Sequence, residues 1–396
     1  MSHSTRIALF DVDGVLIVPG GYRRALSDTL RDILTEMNLP ALTPLESVYE
    51  HFESIAITSE WDMIPLYLCI VLNAAAEIIS PAVPWQTLDE AITVIKQHTL
   101  TINLDTAHTQ DAIGKITNGK PEVPSELIFN SQSLSTFPFP ALKGFGVLDH
   151  LLTTTRSISD SPTTARFQER ILGSRLFEER YHQKAVTDHE NYLTTYDQLA
   201  LSSQSRTTIE QALQQKTLHM SIYTARPSLP PEGISVDHNA AYSPEAEQAL
   251  QMVNLDGVHL GAYGKLAWVA QEHHLTADQC LKPSPIHALS AIAAHFTNEI
   301  KALHWAAEVY HAKQNNVILP QAQFPLPKVI ELHVFEDSPG GLKGGASATE
   351  LLSELGLFVD LHLWGIAKNP QKKTALQAQG GVIYEDVNAA IMTAFG

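Results

Sequence analysis

The sequence predicts an α/β protein, a parallel-sheet core with an all-helical domain inserted after its first strand. Three observations carry this. Short apolar runs of strand type alternate with stretches of helical period at the start of the chain and again in its second half. Several of these runs end in carboxylates, a hydroxyl or a glycine turn, as a parallel sheet does where it presents a site at its C-terminal edge. From about Met37 to Leu201 the pattern is mostly helical, and no clear alternating strand pattern occurs.

Taken in order, Ile7-Ala-Leu-Phe10 is the first strand, followed at once by Asp11-Val-Asp-Gly14. Tyr22, Leu26, Leu30, Ile33, Leu34 and Met37 then fall on one helical face. Helices are expected over Asp62–Ile79, Leu88–Gln97, Ala165–Tyr181 and His189–Leu199, with loops such as Asn118–Pro140 and Ser157–Thr164 between them. Strand–helix alternation returns with a helix at Arg206–Gln215 and a buried strand at Met220-Ser-Ile-Tyr223. Helices follow at Gly264–His274 and Ile286–Phe296, then strands at Ile330–Phe335, Leu357–Trp364 and Gly381–Tyr384. Thr297–Lys328, with a helix at Asn298–Ala312 and a proline-bearing loop, reads as an insertion in the core. The expected domains are a core of residues 1–18 and 203–396 and a helical domain of residues 19–202.

Composition bounds the function. The chain has 396 residues, enough for two domains, and 44% of them are apolar, enough for a sizeable core. The formal net charge of −17 disfavours general nucleic-acid binding, which neutralises phosphates with Lys and Arg, and disfavours docking on anionic lipid. The N-terminus lacks the long apolar stretch of an export signal, and the most apolar run, Leu66 to Ile79, reads as a buried helix too short to cross a bilayer. Two distant cysteines, Cys69 and Cys280, make no disulfide framework and no Cys-x-x-Cys site, so a reducing, cytoplasmic location is expected.

Four segments at strand ends carry candidate chemistry. In Asp11-Val-Asp13-Gly14 a tight turn can bring both carboxylates to one place, one to attack an electrophile and one to handle protons. Thr224-Ala225-Arg226 follows a buried strand, where a hydroxyl and free N–H groups can hold a phosphate oxygen. Lys282-Pro-Ser-Pro285 points a lysine from the N-terminal end of a helix, where it can offset anionic charge. Glu336-Asp337-Ser-Pro-Gly-Gly341 offers two adjacent carboxylates suited to a hard, oxygen-liganded cation.

Together these segments resemble the haloacid dehalogenase-like superfamily of phosphatases and phosphotransferases. The phrases Phe10-Asp-Val-Asp-Gly-Val15, Lys282-Pro-Ser-Pro285 and Phe335-Glu-Asp-Ser-Pro339 look like its β-phosphoglucomutase and phosphatase branch. That branch has a Rossmann-like core and a helical cap between the first two motifs, and the 211 positions from Asp13 to Thr224 leave room for one. The likeness covers the core segments, about half the chain, and is weak over the expected cap, which is larger than usual. Many relatives carry the lysine in a Tyr-Gly-Lys-Pro phrase, so Lys265 in Tyr263-Gly-Lys265 competes with Lys282, which the following prolines favour.

The resemblance implies a cytoplasmic, Mg²⁺-dependent phosphatase acting on a small phosphorylated metabolite. Asp11 would be the nucleophile, Asp13 the acid and base, and Thr224 and Lys282 the holders of the phosphoryl oxygens. Mg²⁺ would sit among Asp11, the carbonyl of Asp13 and Asp337, with Glu336 orienting it or its water. Ala225 and Arg226 would line the phosphate turn, and Arg23, Glu60 and Trp61 are the candidates for contacting the leaving group from the cap. A carboxylate at position 13 favours phosphoryl chemistry over dehalogenation, which needs no leaving-group proton. A phosphomutase and a non-catalytic phospholigand-binding regulator are the alternatives. The 18 histidines show no zinc-type spacing, and the glycine pairs at 340–341 and 344–345 lack the Gly-Lys-Ser/Thr ending of a nucleotide loop.

Overall fold

The α/β core is built on strand β1 (Thr5–Phe10), which in this computed structural model pairs in parallel with β4 (His219–Tyr223) on one side and β6 (Val329–Glu336) on the other. The structure describes residues 4–55, 57–102, 104, 114, 123–236, 239–255 and 257–396. Adding β5 (His259–Gly261), β7 (Phe358–Ile366) and β8 (Val382–Tyr384) gives a six-stranded sheet in the order β5-β4-β1-β6-β7-β8, all parallel. The chain builds outward from β1 through β4 to β5, then returns to β1's other side with β6. That reversal opens a crevice beyond the carboxyl ends of β1, β4 and β6, where open α/β sheets bind ligands.

Alternation along β1 explains the two layers. Ile7 and Leu9 face a cluster that includes Leu332 and Val334 and the helices Tyr263–Glu272, Pro285–Ala293, Glu299–Gln314 and Pro339–Glu354. Ala8 and Phe10 face the other way, onto Met220, Ile222, Phe335 and the helices Ser203–Gln214, Glu245–Val253 and Val387–Phe395. Phe10 and Phe335 stack with ring centroids 4.1 Å apart. The stretch expected as an insertion is part of the first layer: Trp305, on Glu299–Gln314, is buried in that core, donates to the Pro320 carbonyl at 3.2 Å and packs edge-on to Phe324.

The chain forms two compact units. The α/β unit holds Met1–Gly20, Tyr196–Asp237 and Ala241–Gly396; the helical unit holds Gly21–Thr195 and His238–Ala240. The expected crossings, after residues 18 and 202, differ because a ribbon of β2 (Ile17–Val18) and β3 (Gln198–Leu199) belongs to the α/β unit. Two-residue strands are too short to show an alternating pattern, so most of His189–Leu199 is not the helix expected; only Tyr192–Tyr196 is.

The helical unit contains no strand among its described residues. The expected helix Ala165–Tyr181 is two, Pro162–Leu172 and Ser174–Tyr181, broken at Gly173 with φ +74°. A side chain there would meet the Asn191 nitrogen at 2.8 Å, so only glycine fits. Residues 118–122 of the expected loop lie outside the described residues, and Pro124–Asn130 is a seven-residue helix opened by its proline. The apolar run belongs to a 20-residue helix, Glu60–Ile79, long and apolar enough by length and composition to cross a membrane. It is mostly buried inside the structure, as a helix apolar on all sides requires in a protein core.

Buried histidines make the α/β unit acid-sensitive. Burial pushes His259 and His287 down to about 3 and His295 and His333 to about 4. Their ordinary value is 6.5, so the unfolded chain takes up protons first as the pH falls. Each histidine therefore contributes stability that is fully present above pH 6.5 and is lost on the way down to its folded value. His295, whose Nε2 lies 2.8 Å from the Ser221 hydroxyl, is one of these, and it also helps to hold His259 down. We expect the stability advantage of the parent over His295→Gln to shrink by roughly 1.4 kcal/mol per pH unit between 6.5 and about 4. Denaturant unfolding at several pH values checks this; a constant difference would contradict it.

Candidate functional site

Phe10, Ile222 and Phe335 lie level on β1, β4 and β6, so Asp11, Thr224 and Glu336 emerge at one edge of the sheet. The Asp11 N–H donates to the Phe335 carbonyl at 3.0 Å, and its Oδ1 accepts from the Val12 N–H at 2.8 Å. The chain then closes a tight turn, with the Leu16 and Ile17 N–H groups donating to the Val12 carbonyl and Gly14 donating to Ile17. Gly14 has φ +75°, and a Cβ on it would lie 2.2 Å from the Asp337 carboxylate. Gly14→Ala is expected to cost roughly 1–2 kcal/mol for the left-handed backbone alone and to displace Asp337 as well. A melting temperature equal to the parent's would show that this approach is not tight.

Lys282 is the electrostatic centre. It lies just before the helix Pro285–Ala293, and its Nζ is 2.9 Å from Asp11 Oδ1 and hydrogen-bonds Glu336 Oε1. The same ammonium sits 4.7 Å from the centre of the Tyr223 ring. Burial alone would pull Lys282 down, but Asp11 and Glu336 together outweigh it and hold it above the ordinary lysine range. Asp11 is raised well above the usual carboxylate range, first by burial and then by repulsion from Glu336; Lys282 offsets part of this. Burial also raises Glu336, against the pull of Lys282. The three groups form one buried set, two carboxyls sharing one ammonium.

Around this set the sequence supplies supports that pattern reading did not pick out. Ser338 donates to Glu336 Oε2 through its N–H at 3.2 Å and its hydroxyl at 2.8 Å. A Cβ on Gly341 would meet Glu336 at 1.9 Å, so this glycine admits the carboxylate. Lys372, in the first turn of the helix Pro370–Gln377, pairs with Asp337. A lysine just after a strand and an Asn-Pro helix start was the available signal for it.

The carboxylates of Asp11, Glu336 and Asp337 lie within 4.8 Å of one another. Such a group of hard carboxylate oxygens suits a divalent cation.

Asp13 lies beside this cluster in sequence but has a different partner. Arg226 grips it with two hydrogen bonds, Nε to Oδ2 at 2.9 Å and Nη2 to Oδ1 at 2.6 Å. Arg226 is buried, so it is placed as a partner of Asp13 rather than as an open phosphate contact. Thr224 Oγ1 accepts from the Arg226 N–H at 3.2 Å, which leaves its own hydroxyl hydrogen to donate elsewhere. Ala225 is exposed on the turn between them. Lys265 pairs with Glu299 at 2.7 Å, so of the two candidate lysines it is Lys282 that reaches Asp11.

Arg23, Glu60 and Trp61 lie in the helical unit. Arg23 pairs with Glu46 at 3.3 Å and with Glu53, and its guanidinium stacks 5.1 Å from the centre of the Tyr49 ring. Glu60 opens the helix Glu60–Ile79. Trp61 is 9% exposed and donates to Gln168 at 3.3 Å, with Arg156 over its ring. That is the environment of a packed core tryptophan rather than of an open stacking platform.

A second group of candidate ligands, Glu331, His333 and His362, lies on β6 and β7. The Trp364 indole donates to His333 Nδ1 at 3.1 Å, which puts the proton of the neutral ring on Nε2, 3.0 Å from Glu331. Both nitrogens are then engaged, and Arg6 pairs with the same Glu331 oxygen at 3.1 Å. This is a hydrogen-bonded network that fixes a sheet face, and it leaves no lone pair on His333 for a metal.

No protein-family model matches the chain, and no curated protein matches it. Among solved structures, it is similar to an X-ray structure determined as a target of the Northeast Structural Genomics Consortium, with a TM-score of 0.61 at 13% identity, over 100% of this chain and 98% of that one. At that identity the likeness shows the α/β fold.

Proposed function

We propose that the protein is a Mg²⁺-dependent phosphatase that hydrolyses a small phosphorylated metabolite through a phosphorylated Asp11. The observation that supports this most is the Lys282 ammonium held on both Asp11 and Glu336 at the carboxyl edge of the sheet. A buried carboxylate at a strand end with a cation against it is suited to attack an anionic phosphoryl group, since the lysine offsets the charge that gathers there.

Asp11, Glu336, Asp337 and the Asp13 carbonyl would hold Mg²⁺. When bound, the cation would withdraw charge from the phosphoryl oxygens. The chain's own residues do the rest. An Asp11 oxygen bonds to phosphorus as the bond to the leaving oxygen breaks, and Asp13 gives that oxygen its proton. Asp13 then takes a proton from water, the water oxygen bonds to phosphorus, and the bond to Asp11 breaks, releasing phosphate. Thr224 and Lys282 keep the phosphoryl oxygens in place through both steps.

The test is phosphate release from a panel of phosphorylated metabolites and an aryl phosphate, with and without Mg²⁺. Metal-dependent release would support the reading, and its absence across the panel would count against it. Asp337→Ala is expected to raise the Mg²⁺ concentration for half-maximal activity at least tenfold, because a hard cation loses an anionic oxygen. An unchanged half-saturation value would remove Asp337 from the ligand set.

A further inference from the structure

We propose that Asp197 is a positioning residue for Asp13 and acts through Arg226; the inference rests on the phosphatase reading above. One guanidinium joins the two carboxylates. Its Nη2 donates to Asp13 Oδ1 at 2.6 Å and to Asp197 Oδ2 at 2.8 Å, while Nε takes the other Asp13 oxygen. The exposures run in sequence: the side chain of Asp197 is 0% exposed, that of Arg226 2% and that of Asp13 34%. Only Asp13, at the open end, is accessible to a substrate.

The closed end is anchored. Asp197 Oδ1 accepts from the Gly20 N–H at 2.8 Å. Gly20 is the last residue before the chain enters the helical unit, and Asp197 is the second after it returns. A Cβ on Gly20 would come within 2.4 Å of the Tyr196 carbonyl, so the two crossings run in close contact. The Arg226 backbone is fixed as well, its N–H on Thr224 Oγ1 and its carbonyl accepting from Tyr263 at 3.1 Å. Asp197 thus sets where the guanidinium lies, and the two-pronged grip sets where the Asp13 carboxyl lies. Without the Asp197 carboxylate the guanidinium loses the charged contact at its closed end, and its position follows Asp13 more than it fixes it.

The consequence is chemical. Asp13 gives its proton to the leaving oxygen as the phosphorus–oxygen bond breaks and the electron pair moves onto that oxygen. A poor leaving group, an alkyl alkoxide, needs that proton. A nitrophenolate leaves without it. Misplacing Asp13 therefore harms alkyl phosphates selectively, whereas a general loss of structure harms both. The quantity to read is kcat/KM, which reports the steps up to departure of the first leaving group.

The experiment compares parent, Asp13→Asn and Asp197→Asn on an alkyl phosphate and on p-nitrophenyl phosphate. Asn at 197 removes the charge and retains an acceptor for Gly20. For Asp197→Asn we expect kcat/KM to fall on the order of 10–100-fold for the alkyl ester and less than about threefold for the aryl ester, a smaller version of the Asp13→Asn pattern. If Asp197→Asn does not fold, Arg226→Lys, which keeps the charge but cannot grip Asp13 with two prongs, carries the same comparison. Equal losses on both esters, or none, in a folded variant overturn the inference while the phosphatase reading stands. A parent that cleaves neither ester overturns the reading and the inference with it.

Discussion

Asp11→Asn is expected to lower turnover by about 10³-fold or more while the protein stays folded, with a melting temperature equal to or above the parent's. The two halves of this expectation have the same cause. Asp11 is a buried carboxylate whose ionised form is disfavoured by burial and by Glu336, so the charge costs stability where it stands. Asparagine keeps the shape and an oxygen for the Val12 N–H, which is 2.8 Å from Oδ1 in the parent. It leaves Lys282 paired with Glu336. It has no anionic oxygen with which to attack phosphorus. Such a trade, stability given up at a residue that earns its place by chemistry, separates a catalytic aspartate from a structural one. Phosphate release and thermal melting on the same preparation check it. Turnover within tenfold of the parent would remove Asp11 as the nucleophile, and a large drop in melting temperature would make it structural.

What the sequence disclosed follows from length scales. The strands β1, β4 and β6 and the residues at their ends were legible because an apolar run ending in Asp11, Thr224 or Glu336 needs only local pattern. The insertion was legible because a long stretch lacked any strand period. Lys282 was one of two candidates, and what separates it from Lys265 is a contact with Asp11 across 271 positions, which no local pattern contains. Arg226 stands in a motif whose local pattern places it toward substrate; that it turns inward to Asp13 and Asp197 depends on the β2–β3 ribbon, whose two-residue strands carry no period. The three-residue edge strand β5 is likewise too short to show a period. Lys372 and Ser338 escaped because single polar side chains acquire a role only when the fold brings a carboxylate to them.

Lys282→Met is expected to destabilise the α/β unit by roughly 3–5 kcal/mol near neutral pH, the usual cost of removing one partner from a buried ion pair. Methionine fills a similar volume beside Tyr223, so a cavity is not the main effect. What changes is charge. The ammonium is within 2.9 Å of Asp11 and bonded to Glu336, and it is the group that lowers both carboxyls against burial. Without it their folded values rise further above the unfolded ones. A carboxyl raised in this way destabilises the fold at pH above its folded value and ceases to do so as the pH falls to its unfolded value. The difference between parent and Lys282→Met should therefore be largest near pH 8 and smaller near pH 5. Subtracting the two proteins cancels the buried histidines that Lys282 does not act on; His287, which burial and then Lys282 hold down to about 3 in the parent, titrates below this pH range. A second change, Glu336→Gln, removes one of the stranded charges and should recover much of the loss, so the double variant melts above Lys282→Met alone. Activity should not return with stability, because neither variant restores a cation against the phosphoryl oxygens. Denaturant unfolding of the four proteins at two pH values decides the matter. A loss in Lys282→Met that is the same at pH 5 and pH 8, and untouched by Glu336→Gln, would mean that the lysine holds the site by packing and not by its charge.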